Sequence, residues 1–491
     1  MIGRKQEVER LEWAYQSPDP EFIGIYGRRR VGKTYLVAKT FAGRFAFQHA
    51  GLAPKGAEDE EQPAAEGNRE AESSLKRQLA HFHTSLLLQG ERGTKEPKSW
   101  EEAFFRMEKL IAKKPANGGK KVVFLDELPW MDTPKSGFLT ALEGFWNSWG
   151  CFQDDLLLIV CGSATSWMTD KLINNHGGLY GRLTGEIRLS PLCLGDCKEL
   201  LVSRKVHLSD YDVAQAYMVF GGIPFYLKSL RPGQSLAQYI DECFFAKTAP
   251  LKREFDRLFS SVFTNPETMK SIIRAISSVR SGLTRKQIEE RTGIKKGGRL
   301  AEYLRNLADS DFIVEYYPFG KGRAEAYYRL IDPFCWFFLK FVDEGSSFPS
   351  DFWLNNVNNQ QVVSWRGLAF ENLCMNHVGQ IKKALGVYGV SSEESAYVAA
   401  GHEGIEGGQI DLVILRKDGI CNLCEAKFYS NKVRIDKAME RKAVHNESLL
   451  SERLPKKTAV HKVLLTTFGV EEGEYMWTFA NVITLEDLMK C

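Results

Sequence analysis

Apolar residues in the first third of the chain come in short unbroken runs: "FIGIY" at 22–26, "VVFL" at 122–125 and "LLLIV" at 156–160. Runs of that length, bounded by polar residues, suit strands covered on both faces, as in a parallel sheet flanked by helices. From Pro266 the period changes. "PETMKSIIRAISSVRSG" reads as an amphipathic helix, "LTRKQIEERTG" starts at the N-cap Thr284 and stops at Gly293, and "KKGGRLAEYLRNLADSDF" puts Leu300, Leu304 and Leu307 on one helical face. "IVEYYPFGKGRAEAYYRLID" then alternates apolar and polar positions around a glycine-containing turn, as a hairpin does. In the last fifth, "GQIDLVILRKDGICNLCEAKF" is a second hairpin, and its strands carry charges among apolar residues.

A chain of 491 residues is too long for one hydrophobic core and implies two to four domains. Its 65 basic and 62 acidic residues leave a net charge of +3, so any affinity for nucleic acid must reside in local patches. No apolar run approaches the roughly 20 residues that span a bilayer, and "MIGRKQEVERLEWAYQ" lacks the apolar centre of a signal peptide. A cytoplasmic protein with no membrane partner is expected. The 10 cysteines lie mainly in apolar segments, where reduced thiols are the default, and "CNLC" has no second pair or nearby histidine to complete a zinc set. The stretch "LAPKGAEDEEQPAAEGNREAESS" is acidic and poor in large apolar residues, and reads as a solvated excursion.

The first apolar run leads into Gly27, Arg28, Arg29, Arg30, Val31, Gly32, Lys33 and Thr34, an eight-residue Walker A pattern followed by Tyr35 and a helix-compatible run. Glycines let backbone N–H groups close around phosphate oxygens, Lys33 is placed to reach the outer phosphates, and Thr34 can ligate Mg²⁺. The second run delivers Asp126 and Glu127 at a strand's C-terminal end, Asp126 to hold Mg²⁺ and Glu127 to polarise the attacking water. The third ends near Ser163, either a sensor of the γ-phosphate or a strand-end turn. Arg182, after a glycine-rich turn, is either a finger on bound nucleotide or a solvated cap of the sheet.

Taken in order, "IYGRRRVGKT", "VVFLDELPWM", "LIVCGSATSWM", "LYGRLTGEIRLSPL" and "YMVFGGIPFYL" resemble the archaeal-type ATPases, relatives of the AAA+ and STAND nucleotidases. The resemblance covers about the first 230 residues. It implies ATP and Mg²⁺ as cofactors, Ser163 as sensor, Arg182 as candidate finger, and a helical lid at "GGIPFYL" that brings Pro224 near the nucleotide.

Three helices and a hairpin in the order found after Pro266 describe a winged helix-turn-helix. Lys295, Lys296, Arg299 and Arg305 lie near its presumed recognition helix, placed to contact DNA phosphates; interdomain packing is the alternative role. In the C-terminal hairpin, a three-residue loop Lys417-Asp418-Gly419 sets Asp411 opposite Glu425 and puts Lys427 on the same face. A two-residue turn would move Asp411 to the other face. Two carboxylates and an ammonium on one edge suit phosphodiester hydrolysis with Mg²⁺ or Mn²⁺. With Glu371 on the preceding helix "SWRGLAFENLCMNHV", the pattern resembles the PD-(D/E)XK nucleases over about residues 360–470. That resemblance implies metal ligation by Glu371, Asp411 and Glu425, with Lys427 catalytic.

The expected architecture is therefore α/β: a P-loop ATPase core at 1–195, a helical lid at 196–264, a winged helix-turn-helix at 265–345 and a restriction-endonuclease-like domain at 346–491. The expected function is ATP hydrolysis coupled to metal-dependent DNA cleavage, with a homo-oligomer as a further possibility. The alternative is a STAND-like ATP-dependent switch, or a DNA-binding protein whose nuclease fold is inactive.

Overall fold

The computed structural model describes residues 1–53, 67–116, 119–174, 177–294, 297–319, 326–343, 348–399 and 407–491. Lys295 and Lys296, most of the acidic excursion and the tip of the hairpin at 320–325 lie outside them. The described residues form two compact units, Met1–Ser190 with Leu258–Pro266, and Pro191–Arg257 with Glu267–Cys491.

In the first unit β1 (Glu21–Tyr26), β2 (Phe45–Ala50), β3 (Lys121–Asp126), β4 (Leu156–Gly162) and β5 (Gly185–Arg188) form a parallel sheet in the order β2-β3-β4-β1-β5. The three apolar runs are its central strands, and β4 is buried at every position. One face is covered by the helices Gly67–Leu88, Trp100–Ala112 and Phe138–Ser148, whose rings pack edge to face, as Trp100 does against Phe138 at 4.9 Å. The first of these helices begins inside the stretch expected to be a solvated excursion. Leu79, Phe82 and Leu86 give it an apolar stripe that the core needs.

The second unit contains β6 (Leu283–Thr284), β7 (Ile313–Tyr316) and β8 (Tyr327–Leu330) as an antiparallel sheet ordered β6-β8-β7. They accompany the helices Pro266–Ser277, Arg285–Thr292 and Gly298–Asp309. A five-stranded mixed sheet follows: β9 (Ser392–Ala399), β10 (Gly408–Arg416), β11 (Ile420–Lys427), β12 (Ala459–Thr466) and β13 (Asn481–Ile483), with β9-β10-β11 antiparallel and the remainder parallel.

Residues 191–257 share one compact unit with everything after 266. An aromatic cluster accounts for this, since the Phe337 ring lies tilted at 4.8 Å from Phe244 and edge to face at 5.1 Å from Trp353 and 5.4 Å from Trp365, rings drawn from all three expected segments. The helix expected to run to Gly282 ends at Ser277. Gly282 has φ +76, and a Cβ there would lie 2.3 Å from the Tyr328 carbonyl oxygen, so the chain turns early into β6. Finally, Cys193 and Cys491 are joined in a disulfide with a Cα–Cα distance of 6.3 Å, where reduced thiols were expected; seven of the other eight cysteines are buried and outside this disulfide. Among the described residues no helix is long and apolar enough to cross a membrane.

His377 joins elements of the second unit through an obligatory tautomer. The Leu194 N–H donates to its Nε2 at 2.9 Å, so Nδ1 carries the proton and donates to the Leu373 carbonyl at 2.8 Å. Protonation would set two N–H groups face to face, and burial holds the imidazole at a pKa of about 4. A depressed pKa contributes stability that is complete above the unfolded value of about 6.5 and is lost as pH falls toward 4, on the order of 3 kcal/mol in all. Urea denaturation across pH 4–8 should therefore show stability falling below pH 6.5. A His377→Gln variant should be less stable at pH 7 but lack that share of the slope.

Candidate functional site

The loop after β1 is shaped by two glycines. Gly27 has φ +136, and a Cβ there would stand 2.3 Å from the Leu189 carbonyl oxygen, which only glycine permits. Gly32 has φ +101 and caps the helix Lys33–Thr40. Between them Arg28 and Val31 are buried, Arg29 is half-buried, and Arg30 also takes a positive φ of 71. Lys33 is buried and donates to the carbonyls of Gly27 at 2.8 Å and Arg28 at 3.1 Å. Burial lowers its pKa, opposed by the charges of Glu127 and Asp126. A phosphate entering the loop would offer the ammonium stronger, charged acceptors than these carbonyls. Tyr35 projects outward, with the Lys39 ammonium 5.8 Å from its ring centre.

Thr34 Oγ1 donates to Asp126 Oδ2 at 2.7 Å, bringing together the hydroxyl and carboxylate that would share Mg²⁺. Burial raises the Asp126 pKa against the stabilising Thr34 bond, and a divalent cation would reverse that penalty. Next to it Glu127 adopts a left-handed backbone, φ 49 and ψ 53, a conformation that costs a non-glycine residue about 1–3 kcal/mol. This turns its carboxylate toward Ser163, whose N–H donates at 3.1 Å and whose hydroxyl also donates to it. Ser163 thus bonds the presumed water-polarising carboxylate directly. Arg182 is exposed just after Gly181, and among the described residues its guanidinium makes no hydrogen bond or ion pair. Pro224 opens the short helix Pro224–Leu227 of the second unit.

The second cluster lies on the β10–β11 hairpin. Gly419 has φ +83, the pairing runs from Leu415 with Cys421 to Leu412 with Cys424, and one further step sets Asp411 against Glu425. The three-residue loop, not the two-residue turn, decides the face. On its other side β10 shifts register against β9 between Ile410 and Val413, an irregularity of the kind that redirects a side chain beside a site. Asp411 and Glu425 are both buried. The Ala426 N–H donates to Asp411 Oδ2 at 3.0 Å. Lys427 Nζ lies 2.6 Å from Glu425 Oε1, and Lys442, from the helix Lys437–Ser451, reaches the same oxygen at 2.5 Å. Arg280 Nη2 bonds both Glu371 Oε2 and Asp411 Oδ1, the latter at 2.7 Å, while its Nη1 donates to Gln409 Oε1 at 3.2 Å.

Electrostatics separates the three carboxyls. Burial raises Asp411, with the charge of Glu425 adding to it. Burial, then the charge of Asp411, pushes Glu371 up to about 7. Burial also opposes the ionised form of Glu425, but Lys427 and Lys442 outweigh it and hold that carboxyl below its ordinary value. Glu371, Asp411, Glu425 and Lys427 are therefore brought together. Arg280 and Lys442 were missed by sequence reasoning: Arg280 is 131 residues from Asp411 and sat at the end of an expected helix, and Lys442 is one of several cations on a charged helix.

Residues 1–230 match the model of a family described as an ATPase domain predominantly from Archaea. An uncharacterized protein of Methanocaldococcus jannaschii is 27% identical over 346 residues, which are 70% of this chain and 68% of that protein. Among solved structures, a Walker-type ATPase of Pyrococcus abyssi is similar with a TM-score of 0.44 and 19% identity, over 70% of this chain and 96% of that one. The ORC2 protein of Aeropyrum pernix is similar with a TM-score of 0.39 and 12% identity, over 77% and 96%. The family match spans Lys33, Thr34, Asp126, Glu127 and Ser163, and supports ATP binding and ATPase activity for this part of the chain; it ends before the carboxylates of the hairpin.

Lys33→Ala should abolish ATP binding measured by calorimetry. Glu127→Gln should bind ATP with near-normal affinity but lose about 100-fold or more in turnover if the Glu127 carboxylate polarises the attacking water. Equal loss of binding in both variants would contradict the division of roles.

Proposed function

We propose that this protein is an ATPase whose C-terminal sheet cleaves DNA phosphodiester bonds with the help of a divalent metal. The observation that carries this reading is the convergence of buried Asp411 and Glu425 on adjacent strands with Lys427 and Glu371 beside them. Asp411 and Glu425 repel one another, and a cation would relieve that repulsion; their oxygens are donors of the kind a hard divalent ion such as Mg²⁺ or Mn²⁺ takes, while with Arg280 in place the oxygens of Glu371, Asp411 and Glu425 do not all lie within 4.8 Å of one another. Asp411 and Glu425 would hold it, with Glu371 as a further oxygen ligand. When bound, such an ion supplies Lewis-acid charge to the phosphoryl oxygens and an acidified water. The chain's own residues do the rest. Ala426 fixes the Asp411 carboxylate through its N–H, and Lys427 remains cationic beside Glu425, where it neutralises charge on the phosphate and orients the attacking water.

The module of helices Pro266–Ser277, Arg285–Thr292 and Gly298–Asp309 with the β6-β8-β7 sheet has the element order of a winged helix-turn-helix, and this supports DNA as the partner. Arg299 and Arg305 are exposed on its third helix, as phosphate contacts require, and Lys295 and Lys296 precede it in the sequence. In the ATPase part, Mg²⁺ would be held by Thr34 and Asp126. Arg182 would act as a finger within the chain or across a homo-oligomer, and Pro224 would belong to the lid that responds to nucleotide and regulates DNA access. A second reading is favoured by one specific observation: Arg280 already bonds Glu371 and Asp411. In that reading the nuclease fold is inactive, and ATP operates a STAND-like switch over assembly or DNA binding.

Incubation with supercoiled, linear and single-stranded DNA, with Mg²⁺ or Mn²⁺, with and without ATP, separates these readings. Metal-dependent cleavage is expected, reduced about 100-fold or more in both Glu425→Ala and Lys427→Ala. Intact ATP hydrolysis with no cleavage of any substrate would favour the switch.

A further inference from the structure

Arg280 lies in the segment between the helix Pro266–Ser277 and β6, and its guanidinium bonds both Glu371 and Asp411. With Gln409 it makes three bonds to the side chains at this end of β10. These are bonds to the carboxylate oxygens that a divalent ion would require. Charge makes the two cations exclusive as well. Three carboxylates, Glu371, Asp411 and Glu425, already face Arg280, Lys427 and Lys442. Arg329 lines the same cleft, and its buried Nε and Nη2 have no partner among the described residues. A divalent ion added with Arg280 in place would meet a cluster in which cations already outnumber carboxylates, and Arg329 and Arg280 already repel each other.

We propose that Arg280 is an internal cation that holds Glu371 and Asp411 in place of a divalent metal, and that metal loading requires its withdrawal. The inference rests on the nuclease reading of the hairpin, whose metal ligands it shares. It also names what would move Arg280. The Arg291 Nη1 bonds the Ser278 hydroxyl at 2.5 Å, the Tyr316 hydroxyl bonds the Ser281 carbonyl, and Gly282 is pressed against Tyr328, so the segment is tied to the three-helix and β6-β8-β7 module. A nucleic-acid strand that shifts this module shifts Arg280 with it. Binding of DNA and metal loading would then be coupled, and the carboxylates would stay capped by an arginine until substrate is engaged.

The test is Mn²⁺ binding to the full chain without nucleotide, followed by calorimetry and by the electron paramagnetic resonance of free Mn²⁺, with Asp411→Asn variants identifying binding at this site. Arg280→Ala should bind Mn²⁺ at least tenfold more tightly than the unaltered protein, and Asp411→Asn in that background should remove the gain. Arg280→Lys, whose ammonium cannot span both carboxylates and Gln409, should fall between the two; it carries the test if Arg280→Ala does not fold. Asp411-dependent Mn²⁺ binding of equal affinity in all three would overturn the role of Arg280 while leaving the metal site intact. Absence of Asp411-dependent binding in every variant would overturn both.

Discussion

Two buried carboxyl groups on adjacent strands and a half-buried one on the helix Gln360–Asn376 must be matched by positive charge or give up ionisation, and this requirement organises the second unit. Glu425 meets it with two lysines, one on its own strand and one on the helix Lys437–Ser451. Asp411 and Glu371 meet it with a guanidinium delivered from the segment before β6. Removing one partner from such a cluster leaves an uncompensated buried charge, which costs far more than an exposed ion pair contributes. The β10–β11 hairpin therefore depends on distant parts of the chain for its electrostatic balance, and any change in those parts is felt at the carboxylates.

A similar constraint acts in the first unit on a smaller scale. Lys33 and Asp126 are both buried, and each is held by bonds that a nucleotide and its metal would replace: loop carbonyls for the ammonium, a threonine hydroxyl for the carboxylate. Glu127 is bound by Ser163 rather than directed toward solvent, at the expense of a left-handed backbone. Polar groups in both units thus satisfy one another in an arrangement that ligand binding must reorganise. That is the physical basis for expecting two states rather than one.

The sequence makes local features legible and distant ones obscure. The Walker-type loop could be read because only glycine tolerates the geometry at Gly27 and Gly32, and the hairpin register because Gly419 fits the third place of a three-residue loop. Glu371 was accessible through the helix before the hairpin. Arg280 was not, because its partners are 91 and 131 residues away and the apolar period of its helix runs on past the turn that Gly282 imposes. The disulfide between Cys193 and Cys491 spans 298 residues and carries no local signal. The contacts among Phe244, Phe337 and Trp365 are equally distant in sequence, and nothing local to any of the three shows that their rings share one cluster.

The carboxylates of the hairpin, proposed as a metal site, are held by an arginine. Crystals of the full chain with a short DNA duplex and Mn²⁺, recorded at the manganese absorption edge, test this proposal most directly. An anomalous peak bounded by Asp411 and Glu425, with the Arg280 guanidinium displaced from them, is the predicted result. Bound DNA with no peak at these residues, and Arg280 still bonded to Glu371 and Asp411, would contradict it.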